Sequence, residues 1–391
     1  MRAALMTIVR HILLVAGTRP EVIKLAPVYF ALAKTPGLNP VFISTGQHRE
    51  MMDQALAVFG IRPDHDLRIM RPNQTLSDLT SRLLQHLGEY MRQTAACAVL
   101  VQGDTTSTLA GALAAFYERI PVGHIEAGLR TYDLSAPWPE EMNRRVVDHF
   151  STWCFAPTDA SRDNLLRENI RKEAIFVTGN TVIDALEWVL EKLRRDGILA
   201  EQVVSRCGVP AVFAKRFLHA DGKFILMTGH RRESFGPGLE AVCQGILRVV
   251  SEHPEVGVVF PVHMNPNVRE RVTRILNDNP NIALIPPIAY PDFVWFMSRC
   301  HIVLSDSGGV QEEAPALGKP VLVTRENTER PEGVSAGTCR IVGTDPARIS
   351  AEVGLLIRDS AEYARRSEIN NPYGDGKASL RIANILMRDL L

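Results

Sequence analysis

Short apolar runs alternate along the chain with longer stretches of helical spacing, and the alternation occurs twice. In the first half the runs are His11–Gly17, Pro40–Thr45, Ala98–Gln102, Pro121–Glu126, Trp153–Ala156 and Ala174–Thr178, each followed by a segment rich in helix formers. This rhythm predicts parallel strands joined by crossover helices, as in a doubly wound sheet. The stretch from Glu187 to Ala220 is charged and has no strand pattern, so helices are expected to carry the chain onward there. The alternation then restarts with Lys223–Thr228, Gly257–Val262, Ile282–Ile285, His301–Ser305, Pro320–Thr324 and Thr338–Val342. Within Lys377–Leu391, Leu380, Ile382, Ile385, Leu386 and Leu390 have the spacing of one helix face. The expected fold is α/β, with two Rossmann-like doubly wound domains over residues 1–187 and 188–376 and a terminal helix over 377–391.

Composition narrows the function classes. A length of 391 residues suits two domains better than one core, and 46% hydrophobic with 23% charged residues is ordinary globular usage, which excludes a disordered or fibrous chain. Lys+Arg and Asp+Glu are 44 each. With no net basic field to gather nucleic acid or anionic lipid, any phosphate must be gripped locally. The six cysteines form no C-x-x-C pair, against a zinc site or a disulfide framework, and are expected to be buried reduced thiols. The run Ile12–Ala16 is too short for a membrane span or a signal-peptide core, so a cytoplasmic protein is expected.

In doubly wound sheets ligands lie beyond the carboxyl ends of the strands, where loops enter helices. The first strand runs into Gly17-Thr18-Arg19-Pro20-Glu21-Val22-Ile23-Lys24. Thr18 and Glu21 have capping-box spacing and Pro20 suits a first helical turn, so Arg19 and Lys24 are expected beside a helix N-terminus that faces an anion. Asp104, after Ala98–Gln102, reads equally as a helix cap or a reactive carboxylate. Glu126 ends the next strand, and because glutamate is a poor cap, catalysis is the stronger reading. Glu140 and Glu141 follow Pro139 at a helix start, where one of them can serve merely as a favourable charge.

The second half offers His230 within Gly229–Glu233, a candidate acid, base or phosphate donor. Gly236-Pro237-Gly238 with Ala241 matches a loose dinucleotide pattern, yet it begins several residues beyond its strand, against a nicotinamide site. The clearest segment is His301–Ala314, where a strand enters the Ser307-Gly308-Gly309 turn and a helix begins, so backbone N–H groups can approach phosphates closely. Glu313 lies further along, placed to accept hydrogen bonds from vicinal ribose hydroxyls. Arg330 adds a cation after the next strand.

Together Gly17–Lys24, Gln47-His48, Gln102–Thr105, His124–Arg130, Pro139–Arg144, Gly229–Glu233, Asp306–Glu313 and Glu329–Glu332 resemble, in order and over nearly the whole chain, the bacterial non-hydrolysing UDP-N-acetylglucosamine 2-epimerases. The resemblance implies two domains facing a cleft as in GT-B glycosyltransferases, the terminal helix packed back on the first domain, a homodimer, and neither metal nor nicotinamide cofactor. It also implies that Arg19, Asp104, Glu126, Glu140 and His230 are catalytic, with Arg19 and His230 touching substrate. Lys24, Phe293, Ser307, Gly308, Gly309, Glu313 and Arg330 match nucleotide-binding positions. Ile288 stands where close relatives have a glutamine near the uracil. Gln47, Arg231 and His263 match a site at which some relatives hold a second, activating substrate molecule, but Glu50 and Asn73 replace its glutamine and arginine.

The implied reaction interconverts UDP-GlcNAc and UDP-ManNAc for surface polysaccharide synthesis. No carbonyl neighbours the C2 proton, so its direct abstraction faces a prohibitive barrier, which loss of UDP to give 2-acetamidoglucal followed by re-addition avoids. A GT-B glycosyltransferase would share the Ser307–Glu313 region without needing the first-domain carboxylates. A hydrolysing epimerase and an epimerase for 2,3-diacetamido uronic acid UDP-sugars would share most of these residues. A nucleotide-sugar sensor would need none of Asp104, Glu126 and Glu140.

Overall fold

The structure is a computed structural model that describes residues 9–46, 49–71, 74–219, 221–229, 237–277 and 279–391. It divides into two compact units, Met1–Ala185 with Tyr373–Leu391, and Leu186–Pro372. The first unit contains β1 (Arg10–Ala16), α1 (Arg19–Ala33), β2 (Leu38–Ser44), α2 (Arg49–Phe59), β3 (His65–Asp66), α3 (Leu76–Thr94), β4 (Ala98–Gln102) and α4 (Thr106–Tyr117). It continues with β5 (Val122–Ile125), α5 (Glu140–Phe150), β6 (Trp153–Ala156), α6 (Asp159–Arg167), β7 (Ile175–Val177) and the start of α7 (Thr181–Arg195).

Among the described residues its sheet has seven parallel strands in the order β3-β2-β1-β4-β5-β6-β7. Helices cover both faces of such a sheet, so strands are written as continuous apolar runs rather than alternating ones. Ile12–Ala16 and Ala98–Val101 are accordingly fully buried. The strand order reverses between β1 and β4, the position at which ligands lie in sheets of this kind. Gly17 sits at that point for a steric reason. A Cβ there would lie 2.3 Å from both the Ser107 and Thr45 hydroxyl oxygens, which bond each other at 2.9 Å.

The second unit runs through α8 (Ala200–Arg206), α9 (Ala211–Phe217), β8 (Lys223–Thr228), α10 (Pro237–Glu252), β9 (Val256–Pro261), α11 (Pro266–Leu276), β10 (Ile282–Ile285) and α12 (Tyr290–Arg299). Then come β11 (Ile302–Ser305), α13 (Gly308–Ala316), β12 (Val321–Val323), α14 (Pro331–Ala336), β13 (Cys339–Ile341), α15 (Pro346–Arg358) and α16 (Ser360–Ser367). Its parallel strands follow the order β10-β9-β8-β11-β12-β13, with the reversal between β8 and β11. The last helix, α17 (Ala378–Leu390), belongs to the first unit and packs against α1. Asp184 of α7 anchors it by accepting the N–H groups of Ala378 (3.2 Å) and Ser379 (2.8 Å) and the Ser379 hydroxyl. Burial pushes the Asp184 carboxyl above its ordinary range despite these bonds.

Candidate active site

The β1–α1 loop is built around Glu21. Thr18 is the N-cap of α1, and the Glu21 carboxylate reaches back to the N–H groups of Gly17 (2.9 Å) and Thr18 (2.6 Å). It also accepts the hydroxyls of Thr105 (2.6 Å) and Thr108 (3.0 Å), which ties the loop after β1 to the loop after β4. Burial raises its pKa even though all four donors oppose that shift. Arg19 occupies the first turn of α1, half-buried. Lys24, expected beside it facing an anion, is instead buried with its ammonium 2.6 Å from Glu126. A carboxylate and an ammonium both withdrawn from water are each other's best counter-ion, which explains the difference.

Asp104 is not a helix cap, because Thr105 holds that position and its hydroxyl accepts the Thr108 N–H at 3.1 Å. The Asp104 carboxylate pairs instead with Arg144 of α5, whose neighbour Asn143 donates to the Asp104 carbonyl at 2.8 Å. Glu126 follows β5 in the left-handed region at φ +70°, a strained backbone for a non-glycine residue. Its buried carboxylate accepts from Lys24, from Gln102 at the end of β4, and from Asn180 at 3.2 Å. The two glutamates at the start of α5 separate clearly. Glu141 is fully buried and spent on the N–H groups of Thr131 (3.0 Å) and Tyr132 (3.1 Å) and on Arg144. Glu140 is half-exposed with no hydrogen-bond or ionic partner among the described residues.

Beneath these residues lies a polar chain, fully buried at His124 and Asp148, that the sequence did not reveal. His124 of β5 sits between the Asp148 carboxylate (2.6 Å) and the Gly103 carbonyl (2.7 Å), so both ring nitrogens face acceptors. Asp148 also takes Arg130 (2.8 Å), which reaches Glu168 at 2.7 Å. Burial works to raise the Asp148 pKa, but His124 and Arg130 hold it below the usual carboxylate range. The chain therefore pins Gly103, between Gln102 and Asp104, to the helix that carries Glu140.

In the second unit Ser305 at the end of β11 bonds Thr228 at the end of β8 (2.6 Å) and accepts the Ser307 N–H (3.0 Å). Ser307 is the N-cap of α13, and Gly308 and Gly309 form its first turn. A Cβ on Gly309 would lie 3.6 Å from a Glu313 carboxylate oxygen; the other oxygen accepts the Tyr290 hydroxyl at 2.7 Å. Phe293 stands half-buried one turn further along α12, and Ile288 half-buried in the loop before it. Arg330 is turned onto the buried Glu312 of α13, while its N–H donates to Thr328 at 3.1 Å. His263 is exposed, its Nδ1 accepting the Asn265 N–H at 3.1 Å, and Glu50 is exposed on α2. His230, Gln47, Arg231 and Asn73 lie outside the described residues.

Among the described residues no group of three or more His, Cys, Asp or Glu side chains is arranged to hold a metal ion, and no helix is long and apolar enough to cross a membrane. All six cysteines are free, five of them buried and Cys97 half-buried. Burial pushes the Cys300 and Cys339 thiols up to about 12. Asn180, Gln102 and Arg144 were missed as site residues. Asn180 carried a local signal as an N-cap residue type just after a strand, and Gln102 and Arg144 stood at the ends of the motifs Gln102–Thr105 and Pro139–Arg144 without being singled out.

Comparison with known proteins supplies the family. Residues 30–387 match the UDP-N-acetylglucosamine 2-epimerase family. The UDP-N-acetylglucosamine 2-epimerase of Escherichia coli O157:H7 is 52% identical over 375 residues, covering 96% of this chain and 98% of the relative. The Neisseria meningitidis UDP-GlcNAc 2-epimerase, solved bound to UDP-GlcNAc, superposes with a TM-score of 0.88 at 47% identity, covering 97% of this chain and all of that one, 100%. Staphylococcus aureus MnaA, solved with UDP, gives 0.85 at 42% identity, with 97% of each chain covered. The two doubly wound parallel sheets are those of a GT-B-like α/β fold. The chain belongs to the UDP-N-acetylglucosamine 2-epimerase family.

Proposed function

We propose that the protein is an isomerase that interconverts UDP-GlcNAc and UDP-ManNAc. A carboxylate takes the C2 proton as the C1–O bond breaks, and its electron pair leaves on the β-phosphate of UDP. The resulting 2-acetamidoglucal is attacked again at C1 by UDP while a proton is delivered to the opposite face of C2. Two faces call for two proton carriers. Asp104, Glu126 and Glu140 supply them, from the ends of β4 and β5 and the start of α5. The observation that carries the reading is that none of the three is consumed as a helix-capping side chain, while Thr105 and Glu141 take the purely structural roles beside them.

Charge that builds on the departing diphosphate calls for fixed donors. Arg19, His230 and the Ser307–Gly309 N-terminus of α13 serve this purpose, with Glu313 and Phe293 on the nucleoside. The protein acts as a homodimer; Phe116, Tyr117, Met142 and Val146 of α4 and α5 support this as exposed apolar side chains on two adjacent helices of the first unit. The product serves surface polysaccharide synthesis in the cytoplasm.

The test is incubation of the pure protein with UDP-GlcNAc in D2O without added NAD, followed by NMR of the sugar. Deuterium at C2 and a mixture containing UDP-ManNAc are expected. Free N-acetylmannosamine would indicate a hydrolysing enzyme, and unchanged substrate would refute the reading.

A further inference from the structure

We propose that Asn180 is a positioning residue that fixes the Glu126 carboxylate, an inference that rests on the epimerase reading above. Asn180 lies between β7 and α7 and is almost fully buried, with 3% exposure. Its side chain does two separable things. The amide oxygen accepts the Val182 N–H at 3.0 Å and so caps α7, while the amide nitrogen donates to Glu126 Oε1 at 3.2 Å. The first is a local structural bond that many residue types could supply. The second spans 54 positions of sequence and ends on a carboxylate assigned to the chemistry.

The segment that carries Asn180 is held on all sides. Its N–H donates to the Tyr373 carbonyl at 2.7 Å, and Arg381 donates to the Thr178 carbonyl at 3.0 Å. Gly179, at φ +90°, leaves room for Gly374, whose Cα would lie 3.4 Å from a Cβ on Gly179. Four residues further on, Asp184 grips the start of α17. The chain leaves the first unit after Ala185 and returns to it at Tyr373, so Asn180 hangs Glu126 on the place where both passages are tied together.

Glu126 needs such a hold. Its backbone is in the left-handed region, and the bond from Lys24 restrains one carboxylate oxygen by charge with little directionality. The Asn180 amide approaches that same oxygen, and Gln102 donates to the other, so the two amides set the plane of the carboxyl group. A proton carrier must keep its oxygen within hydrogen-bond reach of C2, and displacement of about 1 Å is enough to cost roughly a hundredfold in rate.

The double role allows a clean test. Asn180→Asp and Asn180→Ser both retain an oxygen that can cap α7 but remove the donor to Glu126, and the aspartate adds a like charge beside it. Wild type, both variants and Asn180→Ala are compared for UDP-GlcNAc turnover, UDP affinity and thermal unfolding. Expected is a fall in kcat of about 10- to 100-fold in Asn180→Ser, larger in Asn180→Asp, with KM and the UDP Kd within about threefold of wild type. Asn180→Ser, which keeps the cap, should stay nearest the wild-type Tm, Asn180→Ala, which loses both bonds, should fall by about 2–4 °C, and Asn180→Asp should fall as well because its buried carboxylate lies against Glu126. Turnover by Asn180→Ser and Asn180→Asp within about twofold of wild type overturns the inference alone. Wild-type protein that leaves UDP-GlcNAc unchanged in the same assay overturns the functional reading and this inference with it.

Discussion

Glu21 lies in the most tightly bonded part of the site and is assigned no chemistry, which makes it a direct test of the structural reasoning. Its carboxylate, 1% exposed, collects two backbone N–H groups and two threonine hydroxyls. Glu21→Ala would not orphan all four. Thr108 Oγ1 also lies 2.7 Å from the Gln102 carbonyl and Thr105 Oγ1 lies 3.1 Å from Thr108 Oγ1, so the hydroxyls have other partners. The Gly17 and Thr18 N–H groups lose the acceptor that satisfies them, at about 1–3 kcal/mol each, so the alanine variant should lose about 2–6 kcal/mol. Glu21→Gln should behave differently. Its oxygen can keep both N–H groups while its amide nitrogen donates to the hydroxyls, and it removes a charge whose burial outweighs its bonds, as the raised pKa indicates. The glutamine variant is expected within about 1 kcal/mol of wild type. For an acid with a raised folded pKa, the native state holds the proton longer than the unfolded chain, so its contribution is full below the ordinary value of 4.5 and is lost as pH rises through the folded value. The glutamine variant should therefore gain on wild type as pH rises from about 4.5 to 7. Urea unfolding at both pH values, together with turnover at pH 7, checks this. A glutamine variant as unstable as the alanine variant would refute the bonding argument, and one that is stable but inactive would make Glu21 part of the chemistry.

Two further outcomes test the assigned carboxylates. Asp104→Asn should abolish deuterium incorporation at C2 while leaving the UDP Kd within about threefold, by NMR exchange and calorimetry; full retained exchange would remove Asp104 from the proton carriers. Tyr290→Phe takes the hydroxyl donor from the buried Glu313, which should cost about 1–3 kcal/mol of stability and weaken UDP binding. Unchanged urea midpoint and UDP affinity would count against Glu313 as a ribose ligand held by Tyr290.

The strands were legible because parallel strands covered on both faces are written as uninterrupted apolar runs. Ala98–Gln102, Trp153–Ala156, Lys223–Thr228 and Ile282–Ile285 coincide with the observed elements. Pro121–Glu126, Ala174–Thr178, Pro320–Thr324 and Thr338–Val342 overshoot by a residue at each end, because apolar or β-favouring neighbours continue past the last ladder bond, whereas His11–Gly17, Pro40–Thr45 and Gly257–Val262 start one or two residues late and end one late. β3 was invisible, since His65–Asp66 is two polar residues recruited by pairing with Ile43 and Ser44. The site divides along the same line. That ligands lie beyond strand ends follows from topology, and the proposed carriers Asp104 and Glu126 were singled out at such ends, with Glu140 at a helix start. Their partners follow from which strands become neighbours. Lys24 meets Glu126 across 102 positions and Asn180 meets it across 54, and no local pattern encodes either encounter.

On the proposed function, those partners bear on how a chain with equal numbers of acids and bases would grip a diphosphate. Lys24 and Arg330, both matched to nucleotide-binding positions, are bonded to Glu126 and Glu312. Leaving a buried cation without a counter-ion costs several kcal/mol, so holding each on a carboxylate is the stable arrangement without ligand. A diphosphate that engages either cation must then compete with a carboxylate at short range, and the net gain is the difference between two ion pairs rather than a whole one. The α13 N-terminus involves no such exchange between ion pairs: the Ser307 N–H is bonded to Ser305 Oγ, and the dipole of the helix favours an anion without displacing a carboxylate. On the proposed reaction this division is useful. The α13 N-terminus would then meet the leaving UDP without giving up a carboxylate, while Lys24 stays with Glu126, where a change in that carboxylate's charge during proton transfer is felt most directly.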